Sequence, residues 1–335
     1  MSNLQEKFIK FHETIKLKRF DENQSLKDKR DLLLEELKGV LKDEKIPGTE
    51  EKLTFRHINQ GSYAMGTGII PKKGTDYDID VGIIFNITKE EYESSKLKKL
   101  VYEALGRKRT VSYKKPCITA DYPSEDFHVD IAIYAENNSD IHIAWGKENA
   151  EEKIWYKSEP EELTTWVADV STNADKSAQF RRCVRYLKKW KENAFKNTGN
   201  DAPPSIGITI QARNSFAYCY NEGNDLQALI SIVNDIKNEF VYEYDAKANA
   251  NSHTIEVHLP VEPYKNVYYK MTLKQMDNFY EKISNLLEAL EAAEEAESDF
   301  EACKILKKIF GEEFSDCEDK KASATPPLVV TGQSA

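Results

Sequence analysis

The chain has 335 residues, 40% of them hydrophobic and 31% charged, with a net charge of −10 and an isoelectric point near 5.3. That leaves room for two domains, or one large one with an appended helical layer, and fits a soluble protein. No apolar run approaches membrane-spanning length, and the acidic balance argues against a long polynucleotide as template or activator.

Residues 1–45 read as helical. Phe8, Phe11 and Ile15 make one apolar stripe, and Leu26, Leu33, Leu34, Leu37, Val40 and Leu41 make another. Met1 to Lys7 carries no signal-peptide core, so a cytoplasmic protein without a membrane partner is expected. Gly48, within Ile46-Pro47-Gly48-Thr49, ends the helical pattern. From Leu53 to about Tyr134 the signal is strand-rich, with a charged helical stretch from Glu90 to Arg107 inside it. Leu53-Thr54-Phe55 reads as the first strand.

The most informative stretch runs Gln60-Gly61-Ser62 and then Asp76-Tyr77-Asp78-Ile79-Asp80-Val81-Gly82-Ile83-Ile84-Phe85. Residues two apart in a strand share a face, so Asp78 and Asp80 project together while Ile79, Val81, Ile83 and Phe85 point into a core. Paired carboxylates on a rigid strand repel each other unless a cation lies between them. In Phe127-His128-Val129-Asp130-Ile131-Ala132-Ile133-Tyr134 the same alternation puts Asp130 on a polar face. If the two strands are neighbours, three carboxylates gather into a site able to hold two divalent ions for phosphoryl transfer. The bland alternative is a set of strand-edge aspartates facing water. Gly61 lets the backbone approach a phosphate, and the amide and hydroxyl of Ser62 donate to it, best if a short helix starts at Ser62.

After about Trp155 the chain turns helical. In Phe180 to Trp190 the apolar positions 180, 183, 184, 187 and 190 face inward, and Arg181, Arg185 and Lys188 form a basic stripe. Spacing alone fits a solvated helix face as well as an anion-gripping edge. Leu226 to Phe240 reads as a buried helix, and Met271 to Phe310 as one long helix whose Ala/Glu-rich part, Glu291 to Ser298, is a solvated face. The five cysteines (Cys117, Cys183, Cys219, Cys303, Cys317) lack metal-site spacing and read as reduced core thiols. Ser315 to Ala335 loses periodicity and reads as a disordered tail.

The order Gly61-Ser62, then Asp78-Ile79-Asp80 with Gly82 behind it, then a distant Asp130 resembles the DNA polymerase β-type nucleotidyltransferases. Within them it most resembles the bacterial cGAS/DncV-like nucleotidyltransferases (CD-NTases) of CBASS anti-phage signalling, relatives of cyclic GMP–AMP synthase and 2′–5′ oligoadenylate synthetase. Arg185 to Trp190 followed by Pro203-Pro204-Ser205-Ile206 resembles that family's helical domain. So do Pro260-Val261-Glu262-Pro263 with Asn266, and Lys307 to Phe314.

The resemblance implies an α+β fold, with a polymerase β-like core on a mixed sheet and a C-terminal helical domain of the oligoadenylate synthetase and poly(A) polymerase kind. It places N-terminal helices that pack on both domains at 1–45, the catalytic core at 46–155, the helical nucleotide-binding domain at 156–314 and a flexible tail at 315–335. It implies that Asp78, Asp80 and Asp130 are catalytic and hold two Mg2+ ions, with Mn2+ able to substitute. Gly61, Ser62, Lys188 and Ser205 would bind the triphosphate, Lys188 as a point charge and Ser205 as an orienting hydroxyl. Some relatives carry an aromatic residue after that serine, and this chain departs with Ile206.

The expected reaction joins nucleoside triphosphates, ATP among them, into a cyclic di- or trinucleotide that activates a separate effector, with no obligatory nucleic acid. RNA tailing, protein nucleotidylation and a catalytically silent sensor are the alternatives; retention of all three aspartates argues against silence. The small-residue tail is compatible with attachment of the C-terminal carboxylate to a target by an E1/E2-like enzyme.

Overall fold

A computed structural model describes residues 3–17, 24–72, 77–122, 127–151, 153–195, 201–246 and 249–317, the side chains of Asn3, Ser25, Tyr77 and Asp78 excepted. Helices α1 (Asn3–Ile15) and α2 (Gln24–Leu41) lead into a sheet region: β1 (Phe55–Asn59), α3 (Gly61–Ala64), β2 (Tyr77–Phe85), α4 (Ser94–Gly106), β3 (Val111–Tyr113), β4 (Ile118–Tyr122), β5 (Phe127–Asn137), β6 (Asp140–Trp145) and β7 (Ile154–Lys157). A helical region follows: α5 (Pro160–Ala168), α6 (Ala174–Ala194), α7 (Ser205–Cys219), α8 (Asp225–Asn238), the hairpin β8 (Val241–Asp245) and β9 (Ala250–Thr254), α9 (Leu273–Glu294) and α10 (Asp299–Phe310). Among the described residues no helix is long and apolar enough to cross a membrane.

The sheet is mixed and runs β1-β2-β5-β4-β3, with β6 added to β5 and β7 to β6. Only the central pair, β2 and β5, is parallel among its ladders; Ile79 faces Val129, Val81 faces Ile131 and Ile83 faces Ile133. These apolar rows are fully buried against Leu33, Leu34 and Leu37 of α2 and Leu97 and Val101 of α4. One face is thus core along its length; the other carries Asp80 and Asp130 near the strand starts and a smaller buried cluster of Ile84, Ala132 and Tyr134 farther along.

A second core joins α6 to α10. Phe8 and Phe11 of α1 belong to it, meeting Tyr186, Phe310 and Phe314 at ring separations of 5.0 to 6.2 Å. The two leading helices thus part company, α1 in the helical core and α2 against the sheet.

Four local readings are corrected. The first strand starts at Phe55 rather than Leu53, which is buried just ahead of it. The stretch from Met271 to Phe310 is two helices, because the Ser298 hydroxyl accepts the Glu301 N–H and caps a new start. The β8–β9 hairpin was not read from the sequence; it pairs Val241 with Thr254 through Asp245 with Ala250. Cys303 and Cys317 are joined as a disulfide. Gly311 at φ +86° ends α10 and returns the chain alongside it, a reversal that cysteine spacing does not reveal. The other three cysteines are free and buried, and most of the expected tail, residues 318–335, lies outside the described residues.

Candidate active site

The site is built on the polar face of the central parallel pair. Register sets Asp80 directly beside Asp130, and Asp78 opposite His128. The Asp130 carboxylate accepts a hydrogen bond from the Thr119 hydroxyl on β4 and has Lys114 Nζ at 3.3 Å. Asp78 shares the face of Asp80 by strand parity, but its side chain lies outside the described residues. The described part of the expected carboxylate cluster is therefore Asp80 with Asp130, and no three metal-ligating side chains are gathered among the described residues.

The turn before β2 is fitted to Asp80. Gly61 sits at φ +68°, and a Cβ added there would overlap Asp80 Oδ2. A side chain and the Asp80 carboxylate cannot share that space, and the left-handed backbone independently favours glycine. Helix α3 starts at Gly61, one residue earlier than expected, and its turn is closed by Met65 N–H to Gly61 O at 3.1 Å and Thr67 N–H to Ser62 O at 2.9 Å. Gln60 N–H donates to Asp80 O at 3.3 Å, and Gln60 Oε1 accepts from the Tyr134 hydroxyl at 3.0 Å. Gly82 lets β1 close in: a Cβ there would lie 2.6 Å from Ile58 Cγ1.

A cleft of about 600 Å3 opens between this face and the helices. It brings together Gly61, Ser62, Asp80, Lys188 and Ser205, while Asp130 adjoins through Asp80 without lining the cleft. Leu163, Ile206, Leu259 and Val261 supply apolar wall, and Glu159 and Glu262 supply carboxylates. Asn266 shapes the last segment: its side-chain oxygen accepts from Val257 N at 3.2 Å and Tyr268 N at 2.9 Å.

The basic stripe of α6 does not lie in solvent. Arg185 is buried and donates to the carbonyls of Gly66 and Gly68, and Lys188, 8% exposed, donates to Thr67 O at 3.0 Å and Thr67 Oγ1 at 3.2 Å. Helix α6 thus grips the turn that follows α3 from behind. Burial, with Lys191 and Arg185 nearby, pulls the Lys188 ammonium pKa down to about 7.

The lysine that reaches Ser205 is Lys191, which the sequence reading did not single out. Its Nζ donates to Ser205 Oγ at 2.5 Å and to Pro203 O at 3.1 Å, and burial lowers its pKa. The available signal was its place three residues beyond Lys188, on the same side of one helix. The contact itself depends on how α6 packs on α7, which spacing does not specify.

The residues fit a hard divalent cation. Asp80 and Asp130 are register partners on neighbouring strands, and the Asp80 carboxylate occupies the space that a side chain at Gly61 would take. Cations on the opposite wall suit a polyphosphate bridging the two.

Residues 55–134 match a family model described as the nucleotidyltransferase domain of DncV-like cyclic GMP-AMP synthases. A cyclic GMP-AMP synthase of Escherichia albertii is 29% identical over 161 residues, 45% of this chain and 35% of that protein. A c-di-GMP synthase of Roseivirga ehrenbergii is 23% identical over 180 residues, 46% of either chain. The matched stretches thus span less than half the length of these relatives. The crystal structure of Vibrio cholerae DncV cyclic AMP-GMP synthase superposes with a TM-score of 0.72 at 20% identity, covering 94% of this chain and 98% of that one. The same enzyme in complex with the linear intermediate 5′ pppA(3′,5′)pG superposes with a TM-score of 0.71 at 19% identity, covering 94% and 97%. Such identities speak for the fold: an α+β polymerase β-like core with a helical domain.

Proposed function

We propose that this chain, a member of the DncV-like nucleotidyltransferases by its 55–134 domain and its fold, joins nucleoside triphosphates into a cyclic di- or trinucleotide and releases pyrophosphate. The observation that carries this reading is the parallel register that sets Asp130 beside Asp80, with Asp80 lining one cleft together with Gly61, Ser62, Lys191 and Ser205. That arrangement supplies acidic metal ligands on one wall and phosphate donors on the other.

Asp78, Asp80 and Asp130 would hold two Mg2+ ions, which supply neutralisation of developing charge and a more acidic attacking hydroxyl. Ser62, Ser205 and Lys191 orient the donor triphosphate, with Lys188 behind them holding the 66–68 turn in place. An acceptor ribose hydroxyl beside Asp130 attacks the α-phosphorus. The new P–O ester bond forms as the bond to the pyrophosphate oxygen breaks, and the hydroxyl proton leaves toward the Asp130 side. A second transfer within the linear product closes the ring. No step needs a polynucleotide.

The family likeness further supports a messenger role in anti-phage defence, acting on a separate effector, with the C-terminal tail as an E1/E2-like conjugation handle. Incubation of nuclease-treated protein with Mg2+ and the four labelled triphosphates tests the chemistry. A phosphatase-resistant product is expected; a phosphatase-sensitive linear end product, or strict dependence on added duplex, overturns the reading. Deleting Thr331 to Ala335 should spare synthesis while abolishing attachment in cells that carry the conjugating enzymes.

A further inference from the structure

Thr119 belongs neither to the Gly61-Ser62 turn nor to the strands that carry the aspartates, yet it meets Asp130 directly. Asp80, Asp130 and Thr119 form one row across three strands: Asp80 is the register partner of Asp130 on β2, and Thr119 is its partner on β4. Thr119 is 2% exposed, and its hydroxyl donates to Asp130 Oδ1. The buried thiol of Cys117 interacts with both residues. Lys114 Nζ reaches the same oxygen at 3.3 Å from the connection between β3 and β4. That connection is itself held. Lys98 on α4, 1% exposed, donates from Nζ to the carbonyls of Lys114, Lys115 and Gly146 at 2.7, 2.9 and 3.0 Å. A buried ammonium thus ties the approach to β4 to the end of β6, beside the strand that carries Asp130.

An aspartate carboxylate turns easily about its last torsion, and a hydrogen bond to one oxygen fixes the direction of the other. Thr119 is suited to that task. Its hydroxyl donates to an ionised group, which makes the bond short and strong, and its branched side chain has few rotamers. It brings no net charge, so it orients the carboxylate without opposing a cation there. Lys114 differs on each count. Its side chain is 45% exposed on a long stem, and its positive charge opposes a metal at the same carboxylate. The row supplies a further reason for an anchor: the Asp80 carboxylate repels that of Asp130 from β2, while the Thr119 hydroxyl draws it from β4.

We infer that Thr119 is a positioning residue of the site, whose hydroxyl fixes the orientation in which Asp130 meets a divalent cation. The inference rests on the nucleotidyltransferase reading of the site. Because Asp130 serves the attacking hydroxyl in that reading, Thr119 acts on turnover rather than on capture of the donor triphosphate.

The test is Mn2+ binding to the full chain, followed through the electron paramagnetic resonance signal of the free ion with and without a non-hydrolysable ATP analogue, beside steady-state rates with Mg2+. Thr119→Val keeps the branched shape and removes the donor; Thr119→Ser keeps the donor. Thr119→Val should weaken Mn2+ binding and lower kcat, each by roughly ten- to a hundredfold, as is usual when a partner that orients a metal ligand is lost. KM for the donor triphosphate and the melting temperature should stay near those of the wild type, and Thr119→Ser should restore most of both losses. A residue that merely packs would change the melting temperature and leave Mn2+ affinity alone. Mn2+ binding as tight in Thr119→Val as in the wild type overturns the inference, as does Mn2+ binding that Asp130→Asn leaves unchanged. If Thr119→Val fails to fold, Thr119→Ala against Thr119→Ser decides on the same terms. Mn2+ binding that depends on Thr119, without any nucleotide product, would sink the transferase reading and leave the positioning role standing; product with kcat and Mn2+ affinity intact in Thr119→Val would do the reverse.

Discussion

The two walls of the cleft hold their functional groups by different physical means. On the sheet wall, backbone register fixes Asp80 beside Asp130, and the neighbouring turn lies so close to Asp80 that one added carbon at Gly61 has no place. On the helical wall, Lys188 and Lys191 reach their partners on long flexible stems, and each is satisfied by carbonyl and hydroxyl oxygens of adjoining segments. A wall set by register should fail abruptly when its chemistry or shape is altered. A wall set by charge on flexible stems should fail by degrees and respond to pH.

The largest effects should come from the carboxylates. If Asp80 and Asp130 hold the metal as proposed, Asp80→Asn and Asp130→Asn each remove a charged ligand while preserving shape, so initial rates should fall about a thousandfold or more with the far-ultraviolet spectrum unchanged. Asp78→Asn belongs to the same series by strand parity. Full activity in any of the three takes that residue out of the metal site. Gly61→Ala comes next. It strains a backbone at φ +68° and drives a methyl group into the Asp80 carboxylate, so the rate should drop about a hundredfold, with a lower melting temperature. A variant as active as wild type would show that the turn can move away from Asp80.

Lys191→Ala should act on substrate use more than on the fold. Losing one charge-assisted contact costs about 1.5–3 kcal/mol, or roughly ten- to a hundredfold in kcat/KM. Ser205→Ala should cost less, and the double variant should cost less than the sum, because Lys191 donates to the Ser205 hydroxyl. Strict additivity would separate the two residues functionally.

The same contrast explains what the sequence revealed. Asp78, Asp80 and Asp130 were legible because strand side chains alternate with period two, so the buried partners Ile79, Val81, Val129 and Ile131 declare which face the aspartates occupy. Even the adjacency of the two strands, which alternation cannot give, follows from the resemblance that Gly61-Ser62 and Asp78-Ile79-Asp80 carry. The helical wall was less legible. Lys188 and Lys191 lie three residues apart on α6, and only the packing of α7 decides which of them meets Ser205. The burial of Arg185 and Lys188 was hidden for a related reason: a basic stripe looks solvated until the turn at Gly66 to Gly68 is found lying across it.

The smallest expected effect is also the one that most sharply separates the walls. Lys188 is buried, and burial first, then Lys191 and Arg185, lower its pKa from 10.5 to about 7. Between about pH 7 and 10.5 the folded protein therefore binds fewer protons at this site than the unfolded chain does, so the site's contribution to stability rises with pH across that window. Below pH 7 both states are protonated and the buried charge is at its most unfavourable. Lys188→Met removes the charge but keeps most of the stem. Its stability relative to wild type should be greatest at pH 7 and below, and should move in the wild type's favour as pH rises toward 10. The change in the melting-temperature difference should be on the order of several degrees for a chain of this size. The lost hydrogen bonds to Thr67 set an offset between the two proteins but not this slope. A melting-temperature difference that stays flat from pH 7 to 10 would mean that Lys188 keeps its charge throughout, and that the helical wall is as rigidly charged as the sheet wall is rigidly shaped.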